Sequence, residues 1–238
     1  MLAFSALGAF LFLNTLYLQE VRGLSALSAG LYTLPIAVMT LIFAPFSGRL
    51  VGRSGPRAGL VAGGLGIMVG GALMTGAGAA TSLTSLLPAY FIFGIGFGMI
   101  NPPITNTAVL GMPPAQAGVA AAVASTSRQV GQTLGVAVAG AVAAAAAAAV
   151  GPGFVAGAHT GWWIVAACGL VAMALGLAST TRWANASAQR VAQELDARPP
   201  PVRSSPRQFA RDWVALFSTA LGPWPVPLVN HSKPEGDP

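Results

Sequence analysis

The sequence has 238 residues, of which 54% are hydrophobic and only 8% are charged. Ordinary soluble domains carry about 25% charged residues, so the composition excludes a soluble fold of the usual kind. The net charge of +6 flanks apolar segments, which indicates membrane orientation and argues against nucleic-acid binding. Cys168 is the only cysteine, so a disulfide within the chain is excluded.

Six apolar segments are long enough to cross a bilayer, since a spanning helix needs about 20 residues at ~1.5 Å each. The sequence therefore predicts an all-α membrane protein with one six-helix bundle over residues 1–182. The predicted helices are residues 1–18, 28–47, 58–80, 85–110, 119–150 and 161–181. Residues 183–238 form a Pro- and Arg-rich stretch, for which we predict a mostly disordered cytoplasmic tail.

The stretch GRLVGRSGPR, from Gly48 to Arg57, separates the second and third predicted helices. It holds Arg49, Arg53 and Arg57, and the only other charges between residues 1 and 181 are Glu20, Arg22 and Arg128. A basic turn between apolar helices remains in the cytoplasm. We therefore predict a cytoplasmic loop here, with both termini of the chain on the same side of the membrane.

Several glycines are spaced four residues apart, a pattern that lets membrane helices approach closely. The pairs are Gly59 with Gly63, Gly66 with Gly70, and Gly131 with Gly135. We predict close helix packing at each of them.

The fifth predicted helix begins with a polar half, STSRQVGQT. Ser125, Arg128, Gln129 and Gln132 follow i, i+3, i+4, i+7 spacing and share one helical face. An arginine this far into an apolar segment is costly unless it meets a cavity, a partner or the interface. Two interpretations stay open: a polar wall of a substrate cavity, or a helix start whose arginine reaches lipid phosphates.

A second polar cluster lies in the fourth predicted helix, around Pro102 and Pro103. Proline removes a backbone donor, so a kink or break is expected there. Asn101, Thr105 and Asn106 either satisfy the freed carbonyl groups or line a cavity.

The arginine-rich stretch resembles the cytoplasmic-loop signature of the major facilitator superfamily, roughly G-x-L-x-D-R-x-G-x-R. The matching positions are Gly48, Leu50, Arg53, Gly55 and Arg57. Gly52 stands where the family has an aspartate. The resemblance implies a latch between helices, but without that aspartate part of the charge network of such a latch is missing, which favours the alternative of an orientation anchor.

Three further stretches are similar, in order and spacing, to the C-terminal half of the fourteen-helix multidrug efflux branch of that superfamily. They run from Tyr17 to Pro35, from Gly94 to Val109 and from Ala117 to Ala137. The resemblance implies a multi-pass transporter of the cell (plasma or inner) membrane, which exports amphipathic or cationic small molecules by alternating access. It also implies a partner, either the missing N-terminal half or a second copy of this chain.

The alternative is a truncated remnant or a membrane assembly partner without cargo. No Asp or Glu lies inside a predicted helix, so a proton-coupling carboxylate is expected in the other half. No metal-ligand spacing, catalytic triad or phosphate-binding glycine loop is found in the sequence. The sequence therefore predicts neither an enzyme nor a cofactor.

Overall fold

The computed structural model describes residues 1–78, 80–109, 117–148 and 153–179, which are helical apart from short turns and contain no strand. The helices are α1 (Leu2–Leu16), α2 (Ala26–Ser54), α3 (Arg57–Met74), α4 (Leu87–Val109), α5 (Ala117–Ala148) and α6 (Gly153–Ser179). A π-helical turn, Tyr17–Val21, extends α1, and a 3-10 turn, Leu83–Leu86, precedes α4. The predicted all-α class is confirmed, and the predicted tail lies outside the described residues.

Five of the six helical regions are long and apolar enough to cross a membrane, which supports a multi-pass membrane protein. These spans are Leu2–Val21, Ala26–Ser54, Arg57–Met74, Leu83–Asn106 and His159–Ala178. Within the described residues α5 is not among them, although it has 32 residues.

The connection between α2 and α3 is only two residues long, Gly55 and Pro56. Gly55 ends α2 with a φ of 80°, a backbone conformation that side chains bearing a Cβ rarely adopt. Its amide N–H still donates to the Val51 carbonyl at 3.0 Å, which closes the last helical turn.

The predicted cytoplasmic loop is therefore wrong in its extent. Gly48, Arg49 and Arg53 lie inside α2, and Arg57 is the first residue of α3. Helical hydrogen bonds are local, so a helix continues beyond its apolar part when solvent can accept the charged side chains. Charge marks the end of the apolar segment, and the helix ends only at the glycine.

The helices do not pack in chain order. The described contacts place α2 against α4, α4 against α3, α3 against α6, α6 against α1, and α1 against α5. Although α2 and α3 are joined by a two-residue turn, α2 packs mainly on α4, and α3 packs on α4 and α6 to a similar extent. This arrangement makes α4 the common neighbour of two helices that share little contact of their own.

Glycine explains how closely α3 and α4 approach. A Cβ placed on Gly66 would lie 2.5 Å from the Cα atom of Gly96, and one on Gly63 would lie 2.5 Å from the Cβ of Ile100. Gly70 faces Phe93 in the same way. The predicted close packing of these glycines is confirmed, and we call this contact the glycine seam.

Glycines also join α1 to α5. A Cβ on Gly131 would lie 2.6 Å from the backbone oxygen of Met1, and one on Gly135 would overlap the backbone of Ser5. Ser5 Oγ donates to the Gly131 carbonyl at 2.8 Å. The packing predicted for this glycine pair is confirmed.

Helix α4 runs through Pro102 and Pro103 without interruption, so the predicted break is absent. Pro103 has no N–H to donate to the carbonyl of Met99, four residues earlier. The Ser47 hydroxyl of α2 donates to that carbonyl instead, at 2.6 Å, in a buried position. A neighbouring helix thus supplies the hydrogen bond that the proline cannot make.

Candidate functional site

The contact between α1 and α4 is built from aromatic rings. Phe10 of α1 stacks on Phe93 of α4 with ring centroids 4.0 Å apart. Nearer the start of α1, Phe4 meets Phe97 edge to face, with centroids 5.4 Å apart and an interplanar angle of 88°. Rings at both levels keep the two backbones apart, and a cavity lies on each side of this aromatic seam.

The first cavity, which we call the arginine cavity, has a volume of about 400 Å³ and lies between α1, α4 and α5. Among the described residues, its wall is apolar except at three positions, Thr105, Ser127 and Arg128. The apolar lining comes from Met1, Phe4, Ile104, Val119, Ala120, Val123 and Ala124. Two of the predicted site residues, Thr105 and Arg128, are therefore brought to one place.

Arg128 is partly buried, and its guanidinium carbon lies 5.9 Å from the centroid of the Phe4 ring. This is within the range of a cation–π contact. Among the described residues Glu20 is the only carboxylate, and it lies in the turn after α1. Since Glu20 follows Phe4 by sixteen residues, the two are roughly 24 Å apart along a helix axis.

The cluster around the two prolines of α4 is divided. The Thr105 hydroxyl donates to the Asn101 carbonyl at 3.0 Å, one helical turn earlier. Asn101 Oδ1 is buried and has no hydrogen-bond partner among the described residues. Asn106 is exposed and does not line the arginine cavity.

The predicted common face of α5 is also divided. Gln129 and Gln132 are exposed and line a separate depression of about 260 Å³ with Thr133 and Val136. Ser125 is exposed and lines neither depression. Arg128 turns towards α1 instead, because the neighbouring Gly131 brings that helix close.

The second cavity, the α2 groove, lies on the other side of the aromatic seam and has a volume of about 530 Å³. It is lined by Leu7, Leu11, Gly30, Thr33, Leu34, Ile36, Ala37, Thr40, Leu41 and Phe97. Its two hydroxyl groups are already used: Thr33 donates to the Gly30 carbonyl at 2.8 Å, and Thr40 to the Gly94 carbonyl at 3.2 Å. The groove is therefore an apolar surface.

The three arginines of the α2–α3 connection are exposed, and they lie at the same end of the bundle as the arginine cavity. Contacts of Ile36 with Gly94 and of Thr40 with Gly98 show that α2 and α4 run parallel, so their C-terminal ends coincide. Thr105, near the end of α4, lines the cavity. Positive charge is thus concentrated at this end.

Sequence reasoning missed Ser47, Phe4 and Phe97. A serine near the end of an apolar segment has no local signal for a hydrogen bond to another helix. The two phenylalanines look like any other apolar residue until the fold pairs them. Among the described residues no group of three His, Cys, Asp or Glu side chains is placed to hold a metal ion.

Comparisons with known proteins agree with these features. The profile of the Major Facilitator Superfamily matches residues 1–136, more than half of the chain. The multidrug resistance protein Stp of Mycobacterium tuberculosis is 36% identical over 132 residues, covering 56% of this chain and 24% of that protein.

Two proteins of Streptomyces are similar to the same extent. The tetracenomycin C resistance and export protein of Streptomyces glaucescens is 34% identical over 140 residues, covering 57% of this chain and 25% of its own length. The puromycin resistance protein pur8 of Streptomyces alboniger is 38% identical over 133 residues, with 54% and 26% coverage. The matched stretch thus spans 24 to 26% of these relatives. On this evidence the chain belongs to the major facilitator superfamily.

Proposed function

We propose that the chain is the C-terminal six-helix half of a drug efflux transporter of the fourteen-helix branch. The observation that carries the proposal is the pair of cavities beside the aromatic seam, between α1, α2, α4 and α5. The relatives named for drug resistance and export support the same direction. Amphipathic small molecules are the substrates that such apolar walls with one polar end would suit.

In this proposal the cavities form one wall of a substrate pathway. Transporters of this kind bind substrate between two bundles and expose it alternately to each side of the membrane. The other wall comes from an N-terminal half or from a second copy of this chain. Arg128 and Thr105 contact the substrate from this half, while Asn101 stands one helical turn deeper with an unused acceptor. Ser125, Asn106, Gln129 and Gln132 remain candidates for contacts with the partner.

Efflux itself is the direct test. The chain is co-expressed with N-terminal halves of related transporters, and drug uptake is measured in inverted membrane vesicles. We expect uptake with a matching half, and its loss in the Arg128→Gln variant at unchanged expression. The Arg22→Gln variant removes an arginine at the far end of α1, outside the cavities, and serves as the matched control. Absence of uptake with every half, and with the chain alone, would contradict the proposal.

The second candidate is a membrane protein without cargo, a remnant or an assembly partner. It is favoured by the lack of an Asp or Glu in α1 to α6 of the described part of the chain, since proton coupling needs such a group in the membrane. Under this reading Arg128→Gln and Asn106→Ala change folding yield alone, and no drug uptake accompanies the wild-type chain.

For orientation we propose that both termini and the α2–α3 turn face the cytoplasm, in the plasma or inner membrane. Three exposed arginines at this turn support it. In a Cys168→Ala background, a cysteine placed by Ser54→Cys should react with an impermeant maleimide only after permeabilisation. One placed by Ser25→Cys, before α2, should react in intact cells, and the reverse pattern would exclude this orientation.

For Gly48, Arg49, Arg53, Gly55 and Arg57 we propose the role of an orientation anchor, with a latch as the alternative. The exposure of all three arginine side chains on this half supports an anchor. Replacement of the three arginines by glutamine separates the two roles. An anchor predicts mixed maleimide labelling at position 54, whereas a latch predicts normal labelling with loss of efflux.

A further inference from the structure

We propose that the arginine cavity binds amphiphilic molecules with an anionic head group, and that the head lies against Arg128 while the apolar body lies along Phe4, Ile104 and Val123. Binding at this cavity is a property of the chain itself. That such molecules are transported rests on the function proposed above. The inference narrows the substrate class from amphipathic molecules in general to acidic ones, and it replaces the cationic molecules that the family resemblance implies.

The arginine cavity is positively charged. Arginine stays protonated at every physiological pH, and the only carboxylate in the described part of the chain, Glu20, is at the far end of α1. Arg49, Arg53 and Arg57 add charge of the same sign at this end of the bundle. In a partly buried place such a charge attracts anions and repels cations more strongly than it would in water.

The size and lining of the cavity suit a small amphiphilic molecule. Its volume of about 400 Å³ is within the ~300–1,000 Å³ range of small-molecule sites. From Val119 to Arg128 the wall along α5 extends for roughly 14 Å at the rise of an α-helix. The Thr105 hydroxyl is engaged with the Asn101 carbonyl, so the free polar groups are gathered at Ser127 and Arg128. The cavity thus has one polar end and a long apolar wall.

The geometry around the Arg128 guanidinium favours an anionic head group. The Phe4 ring lies 5.9 Å from the guanidinium carbon and helps to position the group against α1. The planar fork of N–H donors pairs with a carboxylate, a sulfonate or a phosphate through two parallel hydrogen bonds. A neutral or cationic head group would leave most of those donors unused.

Binding of two matched fluorescent probes to the purified full chain, in nanodiscs of phosphatidylcholine, tests the proposal. Anilinonaphthalene sulfonate is anionic, and phenylnaphthylamine has the same rings without the sulfonate; empty nanodiscs give the background. We expect Arg128→Gln to weaken binding of the sulfonate by about tenfold or more, the usual cost of losing hydrogen bonds to a charged group. Binding of the neutral probe should stay the same, and Arg128→Lys should restore much of the loss.

Two further variants test whether both probes bind in the arginine cavity. Ala124→Leu fills the apolar wall and should weaken both probes, whereas Arg22→Gln, a charge removed at the far end of α1, should weaken neither. Equal sulfonate binding by the wild-type and Arg128→Gln chains would overturn the proposal. So would a wild-type chain that prefers the neutral probe.

Repeating the titration in nanodiscs with phosphatidylglycerol identifies the source of the anion. Competition by this lipid in the wild-type chain, absent in Arg128→Gln, assigns the cavity to a lipid phosphate; lack of competition assigns it to a soluble acid. Sulfonate binding without drug uptake in vesicles would leave the anion site intact and remove the transport function. Drug uptake without selective sulfonate binding would support the transport function and contradict the anion site.

Discussion

Helix α4 meets its neighbours α3 and α1 in opposite ways. At the glycine seam, Gly66 and Gly96 allow backbone to touch backbone. At the aromatic seam, Phe4 and Phe97 stand between the two helices. Gly63, Gly66 and Gly70 all approach α4 this closely, whereas two cavities adjoin the aromatic seam.

The difference shows what decides where a membrane bundle opens. Lipid tails are as apolar as the helices, so burial of apolar surface does not drive the helices together. Close van der Waals contact does, and it requires small residues. The size of the side chain at a few positions, glycine in one seam and phenylalanine in the other, separates wall from cavity.

The largest expected effect is at the glycine seam. Gly66→Leu forces a side chain into the backbone of Gly96 and should lower the free energy of unfolding by about 3 kcal/mol or more, since overpacked cores lose that much when they cannot relax. Titration with sodium dodecyl sulfate in mixed micelles measures it.

The matched control is Gly48→Leu. No atom lies within 4 Å of a Cβ at Gly48, which is in α2 and exposed. Leucine also favours a helix over glycine by up to about 1 kcal/mol, so this variant should be neutral or slightly more stable. Equal losses in the two variants would remove the argument that glycine closes the seam.

An intermediate effect is expected at the contact of α2 with α4, where the Ser47 hydroxyl donates to the Met99 carbonyl. Ser47→Ala leaves that buried carbonyl without its donor, and we expect a loss of roughly 1–3 kcal/mol. In a Pro103→Ala background the restored N–H at position 103 can donate to the same carbonyl. The loss on Ser47→Ala should then be smaller, and a double-mutant cycle measures the difference. Additive losses would show that the two residues do not compensate for each other.

The smallest effect is expected at the aromatic seam. Phe97→Leu replaces one apolar side chain by another beside existing space, and we expect a loss of about 1 kcal/mol. The same unfolding titration measures it. Binding of phenylnaphthylamine to the arginine cavity should change as well, because Phe97 supports Phe4. A loss as large as that of Gly66→Leu would mean that the aromatic seam is packed as tightly as the glycine seam.

Much of the fold follows from the sequence because its signals are local. Apolar length gives the helices, and glycine pairs give the close contacts of α3 and α5. The end of α2 was misplaced because hydropathy reports the surroundings of a side chain and not the backbone conformation. Arg49 and Arg53 are polar and helical at once. The carbonyl that Pro103 leaves without a donor in α4 accepts a hydrogen bond from Ser47 of α2, and the sequence of α4 itself does not indicate this bond.

Less of the candidate site could be predicted. The period of α5 placed Arg128 with two glutamines, but the approach of α1 at Gly131 separates them. Periodicity gives the faces of one helix, and the neighbours that cover each face depend on the packing of distant segments. The meeting of Arg128 with Thr105 and Phe4 joins three helices, and no spacing within one segment encodes it.

The order of packing bears on how the protein is made. Helices α2 and α3 are joined by a two-residue turn, yet both pack on α4, which follows them in the chain. The chief neighbours of α1 are α5 and α6, which are synthesised after the other described helices. The arginine cavity lies between α1, α4 and α5, so it can form only after α5 has entered the bilayer.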